Sequence, residues 1–251
     1  MLYGVAVAAV CVCFFGYALL ECGSIIVRTA AAHIGMNAAG AAFEKILSAV
    51  KRTFIFLYPP ILGALLSAGR IEEMYASIFL SCLCGLLACA LVFALRARLS
   101  SWFVLVISEF GAGKSAVSAI LHGVKSLVVI QSGASSDRLV TRVVVNRLDP
   151  RVIAMSAWVY FTYSSSIFLV NCIAAFAPQY NAVILQSVGF FNGLGTIMLA
   201  LLLDPILARN LDSRNDLEAS AEAIIGGQAI SYGVLSPLLF GLLFLISDRQ
   251  V

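Results

Sequence analysis

One segment is framed like a membrane helix yet carries charge at its centre, and it constrains this chain more than any other. Ala38–Leu66 lies between long apolar runs, but it holds Glu44, Lys45, Lys51 and Arg52, followed by Pro59-Pro60. A charged residue at a helix centre opposes membrane insertion by about 2.5–3.5 kcal/mol, and a good apolar residue returns only about 0.3–0.6 kcal/mol. Four charges therefore oppose insertion by roughly 10 kcal/mol in a run otherwise rich in alanine. Such a segment does not face lipid. It faces other helices, an aqueous cavity or a charged ligand.

The rest of the chain is far more apolar. Of 251 residues, 61% are hydrophobic and 12% charged, where a soluble domain has about 25% charged. The apolar runs are continuous and near membrane-spanning length, and the alternation of an outer-membrane barrel is absent. The fold class this predicts is all-α, a polytopic membrane helical bundle of about six transmembrane helices with a long cytoplasmic loop. The expected helices are 2–26, 38–66, 75–95, 152–177, 182–203 and 227–246. No basic residue precedes the apolar run at Leu2, so that run reads as a retained helix and not as a cleaved signal. Pro59-Pro60 is expected to kink or break the second helix, and Asp204-Pro205 to close the fifth. A polar loop is expected over Ala208–Glu222.

Basic residues set the orientation. With both termini outside, the inner side receives Arg28, Arg96, Arg98, Lys114, Lys125, Arg138, Arg142, Arg147, Arg151, Arg209 and Arg214. The outer side receives only Arg70 and Arg249. Within the inner loop, 96–151, the residues Ala116, Val117, Ile120, Leu121, Val124, Leu127 and Val128 recur at helical spacing. This predicts an amphipathic helix, lying on the inner membrane surface or packed beneath the bundle.

Several near-motifs carry no chemistry. Cys11/Cys13 and Cys82/Cys84 are two residues apart, about 200° on a helix, so neither pair shares a metal. The seven cysteines read as small buried hydrophobes. Gly111-Ala112-Gly113-Lys114-Ser115 resembles the end of a phosphate-binding loop, but Ser108 stands where the first glycine is needed. His33 and His122 are isolated from any poised nucleophile. No enzyme activity, metal, cofactor or nucleic-acid partner is expected. Pro60-Ile61-Leu62 and Pro205-Ile206-Leu207 form a three-residue echo, too short to establish an inverted repeat. Gly189-x-x-x-Gly193 is a small-residue packing motif and the candidate contact of a homodimer.

Cations at membrane depth suit an anionic ligand, and a phosphate or diphosphate head is the natural one. Arg28, Lys45, Lys51 and Arg52 are the candidate diphosphate ligands. Seven residues is about two helical turns, so Glu44 and Lys51 share one face, and Lys45 and Arg52 the adjacent face. Glu21 and Glu44 are the acids near these helices that a proton or cation could titrate. Polar faces on later helices offer candidate cavity-lining residues: Tyr160, Ser164, Asn171, Gln186, Asn192, Thr196, Asp204 and Gln228.

The pattern Glu21-x-x-Ser24-x-x-Val27-Arg28, Gly35, Arg52-Thr53, Pro60-x-Leu62-Gly63 resembles the opening of the Amj-type alternate lipid II flippases. Asn192-Gly193-Leu194-Gly195-Thr196-Ile197, then Asp204-Pro205, resembles their fifth helix. The chain departs from the family pattern at Glu21, where the family has Asp, and at His33, Lys45 and Lys51. Arg28, Arg52 and Asp204 therefore carry over best, and Lys45 and Lys51 rest on chemistry alone. The resemblance implies movement of lipid II, the undecaprenyl-diphosphate-linked peptidoglycan precursor, across the bacterial cytoplasmic membrane. Two alternatives stay open: a transporter of another polyprenyl-phosphate lipid or a small anion, and a non-transporting subunit of an envelope-synthesis complex.

Overall fold

The computed structural model describes residues 2–130, 148–213 and 217–248. Among these residues the chain is helical throughout, and six helices are long and apolar enough to cross a membrane. Three long helices come first: α1 (Leu2–His33), α2 (Asn37–Ser67) and α3 (Ile71–Gly111). The amphipathic segment follows as α4 (Ala116–Ile130), and then α5 (Pro150–Phe176). The next crossing is divided into α6 (Asn181–Gln186), α7 (Val188–Met198), a π turn over Leu199–Leu203, and α8 (Asp204–Ser213). The last is divided into α9 (Leu217–Ile230), a π turn over Ser231–Leu235, and α10 (Ser236–Asp248).

The first and third helices run past their expected ends, for a shared reason. Charged residues mark where a helix leaves lipid, whereas a helix stops where the backbone can turn. No glycine or proline interrupts α3 between Gly85 and Gly111, so it continues through Arg96 for 41 residues, roughly 60 Å at 1.5 Å per residue. About half of that length suffices to cross the hydrocarbon. It ends where Gly113 adopts φ +93°. Similarly, α1 passes Ile26 and ends where Gly35 adopts φ +70°. There the Met36 N–H donates to Ala31 O at 2.9 Å and the Gly35 N–H to Ala32 O at 3.1 Å, a Schellman closure. At the start of α5, the Asp149 carboxylate accepts from the Arg151 N–H and Pro150 takes the first turn, where its missing N–H costs nothing.

The prolines behave differently from expectation. α2 continues unbroken through Pro59 and Pro60. Its flanking turns are pinned by buried Tyr58 and Leu62, and in lipid a broken helix would expose unpaired backbone groups. Asp204-Pro205 does not close the fifth crossing, because α8 runs on from it. Directly before it lies the π turn Leu199–Leu203. The same arrangement recurs at Ser236-Pro237, directly after the π turn Ser231–Leu235. A wider turn before each proline makes room for the ring and absorbs the lost donor, so the helix resumes with proline in its first turn. The polar stretch 208–222 is accordingly mostly helical, split between α8 and α9.

α1 packs along α2 and α3, while α5 packs along α7 and α9, so each half is centred on its first helix. The halves join through an aromatic cluster. Phe14 of α1 lies 5.9 Å from Tyr58 of α2, 5.1 Å from Phe168 of α5 and 5.6 Å from Tyr232, measured between ring centres. Ser165 and Ser236 share a hydrogen bond of 2.7 Å, and Ser156 donates to Ile224 O at 2.9 Å, so buried hydroxyls add to the joint between helices. The Gly189-x-x-x-Gly193 motif makes no such joint, because both glycines face open space. The close approach falls on Gly195, where a Cβ would come within 2.6 Å of Tyr163 Cα. Exposed Leu83, Leu87 and Leu91 form a stripe on α3, as lipid contact requires.

α4 folds back against the end of α3, and its Gly123 sits over Trp102 and Val106. Val117, Leu121 and Val124 remain exposed on its other face. The loop residues Arg138, Arg142 and Arg147, together with Arg214 and Arg249, lie outside the described residues.

Candidate functional site

Two antiparallel helices carry the site. α1 presents Glu21 and Arg28, and α2 presents Glu44 and Lys51, each pair seven residues apart. Seven residues rise roughly 10 Å, so the two helices form two matched rungs. In one, Lys51 Nζ donates to Glu21 Oε2. In the other, Arg28 Nε donates to Glu44 Oε2 at 2.6 Å. Arg28 also reaches a third helix, with Nη1 donating to Asp204 Oδ1 of α8 at 2.8 Å. Its Nη2 has no partner among the described residues. Lys51 also lies 5.7 Å from the centre of the Tyr163 ring of α5, a cation–π contact.

The rungs differ in burial. The side chains of Glu21 and Lys51 are 4% and 12% exposed, against 20–38% for Glu44, Arg28 and Asp204. A charge this deep persists only when paired. The ladder continues along the same side of the bundle: His33 Nε2 lies 3.0 Å from Glu218 Oε1, and Arg96 Nε donates to Glu222 Oε1 at 2.8 Å.

Two cavities lie along α2. One, of about 350 Å³, is lined by Arg28, Ala31, Asn37, Ala41, Glu44, Lys45, Ser48 and Ala208. The other, of about 330 Å³, is lined by Glu21, Ser48, Lys51, Arg52, Ile55, Phe56, Tyr163, Asn192, Thr196 and Leu199. The α2 positions involved are 37, 41, 44, 45, 48, 51, 52, 55 and 56. Steps of three and four keep them on one face, so the cavities form one groove between α2 and the α7–α8 crossing. Ser48 belongs to both walls. Lys45, Arg52 and Phe56 sit at the exposed lip.

The four candidate cations divide into two kinds. Arg28 and Lys51 are held by carboxylates. Among the described residues, neither Lys45 nor Arg52 forms an ion pair with an acid. Glu44 and Lys51 share a face but pair across to α1, not with each other, and Glu44 takes Arg28, leaving Arg52 free of it. Among the described residues the groove therefore keeps two cations without an acid partner, Lys45 and Arg52, one in each cavity.

The cavity-lining candidates also divide. Asn192 and Thr196 line the deeper cavity, and Asp204 holds Arg28. Tyr160, Ser164, Asn171 and Gln228 are buried between helices and line neither cavity. Ser164 donates to Tyr160 O, Asn171 to Ile167 O, and Gln228 Oε1 accepts from the Cys22 thiol at 2.7 Å. Gln186 is exposed on α6, outside both cavities. Tyr163, on the polar face that also carries Tyr160 and Ser164, does line the deeper cavity, whereas Ser48, Asn37 and Phe56 are wall residues that the sequence reading does not single out. The spacing of 44/45, 48 and 51/52 on one helical face is the signal that points to Ser48.

No curated protein and no solved structure matches the chain at a significant level. The model of the Amj family, described as "Alternate to MurJ", matches residues 18–243, so the chain is a member of the Amj family of membrane proteins.

Proposed function

We propose that this protein moves lipid II, an undecaprenyl-diphosphate-linked peptidoglycan precursor, across the bacterial cytoplasmic membrane. Family membership supports a role in place of another lipid carrier, as the name "Alternate to MurJ" implies. The single observation that carries the reading is the pair Lys45 and Arg52. Among the described residues these two cations have no acid partner, and they lie on the groove face of a helix long and apolar enough to span a membrane. A diphosphate is the ligand whose charge compensates them. The groove's exposed lip lets a lipid tail stay in the bilayer while the polar head occupies the cavities. Glu21 and Glu44 hold Lys51 and Arg28 beside the groove.

In this reading both termini lie outside, and α4 lies at the cytoplasmic face, because the basic residues gather there. The test is rescue of cells depleted of their usual lipid II flippase, read as outer-leaflet accessibility of lipid II. Rescue by the wild-type chain and its loss in Arg52→Ala at equal membrane abundance support the proposal. Absence of rescue by abundant wild-type protein refutes it. A carrier of a different polyprenyl-phosphate lipid would move that lipid while leaving lipid II on the inner leaflet.

A further inference from the structure

The cations that have no acid partner among the described residues lie in two compartments, not one. Lys45 lies in the cavity nearer the α1–α2 turn, together with Asn37 and the uncommitted Nη2 of Arg28. Arg52 lies in the deeper cavity, with Asn192 and Thr196. Lys45 and Arg52 are seven residues apart on one helix, a rise of roughly 10 Å. A diphosphate spans less than that, so with both side chains staying in their own cavities one head does not occupy both at once. Ser48 lies between them, on the wall common to both cavities. Each compartment also has its own ion pair, Arg28–Glu44 in the first and Lys51–Glu21 in the second.

Resting on the reading of the groove as a diphosphate-lipid path, we infer that Lys45 and Arg52 are successive stations. Lys45, with Asn37 and Arg28 beside it, captures the phosphate head on entry. Arg52 receives it one compartment deeper, past Ser48. A small side chain at position 48 is required because the head must pass it. A single site that used all the cations together would need no such opening.

The experiment uses the full-length protein in proteoliposomes and a fluorescent polyprenyl diphosphate. It reads saturable binding and transbilayer movement separately, with membrane abundance as a control. Lys45→Ala should raise the half-saturating concentration by about tenfold and leave the maximal rate within about twofold. Arg52→Ala should leave binding within about twofold and lower the maximal rate by more than about tenfold. Ser48→Trp should retain binding and lose movement, while Val50→Trp, on the exposed face of α2 outside both cavities, retains both, which separates blockage of the path from added bulk elsewhere on the helix. If Lys45→Ala and Arg52→Ala weaken binding equally and Ser48→Trp moves lipid normally, there is one site and the station model is wrong. If the wild-type protein neither binds nor moves the probe, the diphosphate-lipid reading itself fails.

Discussion

Lys51 and Arg52 are adjacent, both cationic and both line the deeper cavity, yet the structure assigns them opposite energetic roles. Lys51 is 12% exposed and bound to a carboxylate that is 4% exposed. A unit ion pair about 4 Å apart is worth about 4 kcal/mol at an effective dielectric near 20. Removing one member of a buried pair costs about 3–5 kcal/mol, because the other charge is left stranded. Chains of about 150–250 residues lose about 2–4 °C per kcal/mol. Lys51→Ala and Glu21→Gln should therefore each lower the midpoint of thermal unfolding by the order of 10 °C. The double variant Glu21→Gln/Lys51→Met should recover most of that loss, since no charge is then stranded. Arg52 is exposed at the groove lip and has no acid partner among the described residues, so Arg52→Ala should shift the midpoint by no more than about 2 °C. The assay is heat challenge of the purified protein followed by size-exclusion chromatography, alongside lipid movement in proteoliposomes. Arg52→Lys should restore movement only in part, because the charge returns without the planar fork. The reasoning is refuted if Arg52→Ala unfolds as readily as Lys51→Ala, or if Lys51→Ala leaves the midpoint unchanged.

Arg28 has two carboxylate acceptors, so Glu44→Gln and Asp204→Asn should each cost less than about 2 kcal/mol, and the double variant clearly more than their sum. Additive effects in thermal unfolding would show that the two acids do not share one guanidinium. In a cysteine-free background, Ser118→Cys on α4 should react with impermeant reagents only from the cytoplasm; labelling from outside would invert the proposed orientation. At the far end of the groove, a Cβ on Gly63 would lie 3.8 Å from Leu185 of α6. The nearest atom is Leu185 Cδ1, so a short bifunctional thiol reagent linking Gly63→Cys to Leu185→Cys should stop lipid movement and leave binding intact, and unimpaired movement in the crosslinked protein would show that this contact does not gate the path. If two copies share a cavity, cysteines at the open Gly189/Gly193 face should trap dimers, and an active protein that stays monomeric would exclude that arrangement.

How much of this was legible in the sequence depends on the range of each interaction. The charged face of α2 was, because Glu44, Lys45, Lys51 and Arg52 repeat with the helical period and contradict their apolar setting. Six crossings were legible from hydropathy. The helix ends were misplaced because the boundary of a lipid span is not the end of a helix; Gly35 and Gly113, with positive φ, are the residues that set the ends. The π turns were hidden, since a proline reads as a stop until a wider turn before it makes continuation possible. Arg28 and Asp204 are 176 positions apart, and their contact depends on how two halves of the bundle dock. The polar faces of α5 and α9 read as cavity walls, but Ser164, Asn171 and Gln228 direct their hydrogen bonds to helix backbones and neighbouring helices.

The same ion pairs explain how so unfavourable a helix enters the membrane. Four charges on α2 oppose insertion by roughly 10 kcal/mol if it enters alone. Two of them meet opposite charges on α1, from Glu21 and Arg28, across a turn of only a few residues. Close packing at Gly40 against Ala31 brings the two helices together next to that turn. The α1–α2 hairpin can therefore enter with Glu44 and Lys51 already compensated, before α8 delivers Asp204. Lys45 and Arg52 are left at the exposed edge, where a long side chain keeps its charge near water or lipid phosphate. Folding thus uses the two ion pairs, and among the described residues the two edge cations remain for a ligand. A chain that used all four cations for binding would have none left to compensate Glu21 and Glu44, which is why Arg28 and Lys51 face acids while Lys45 and Arg52 face the groove lip.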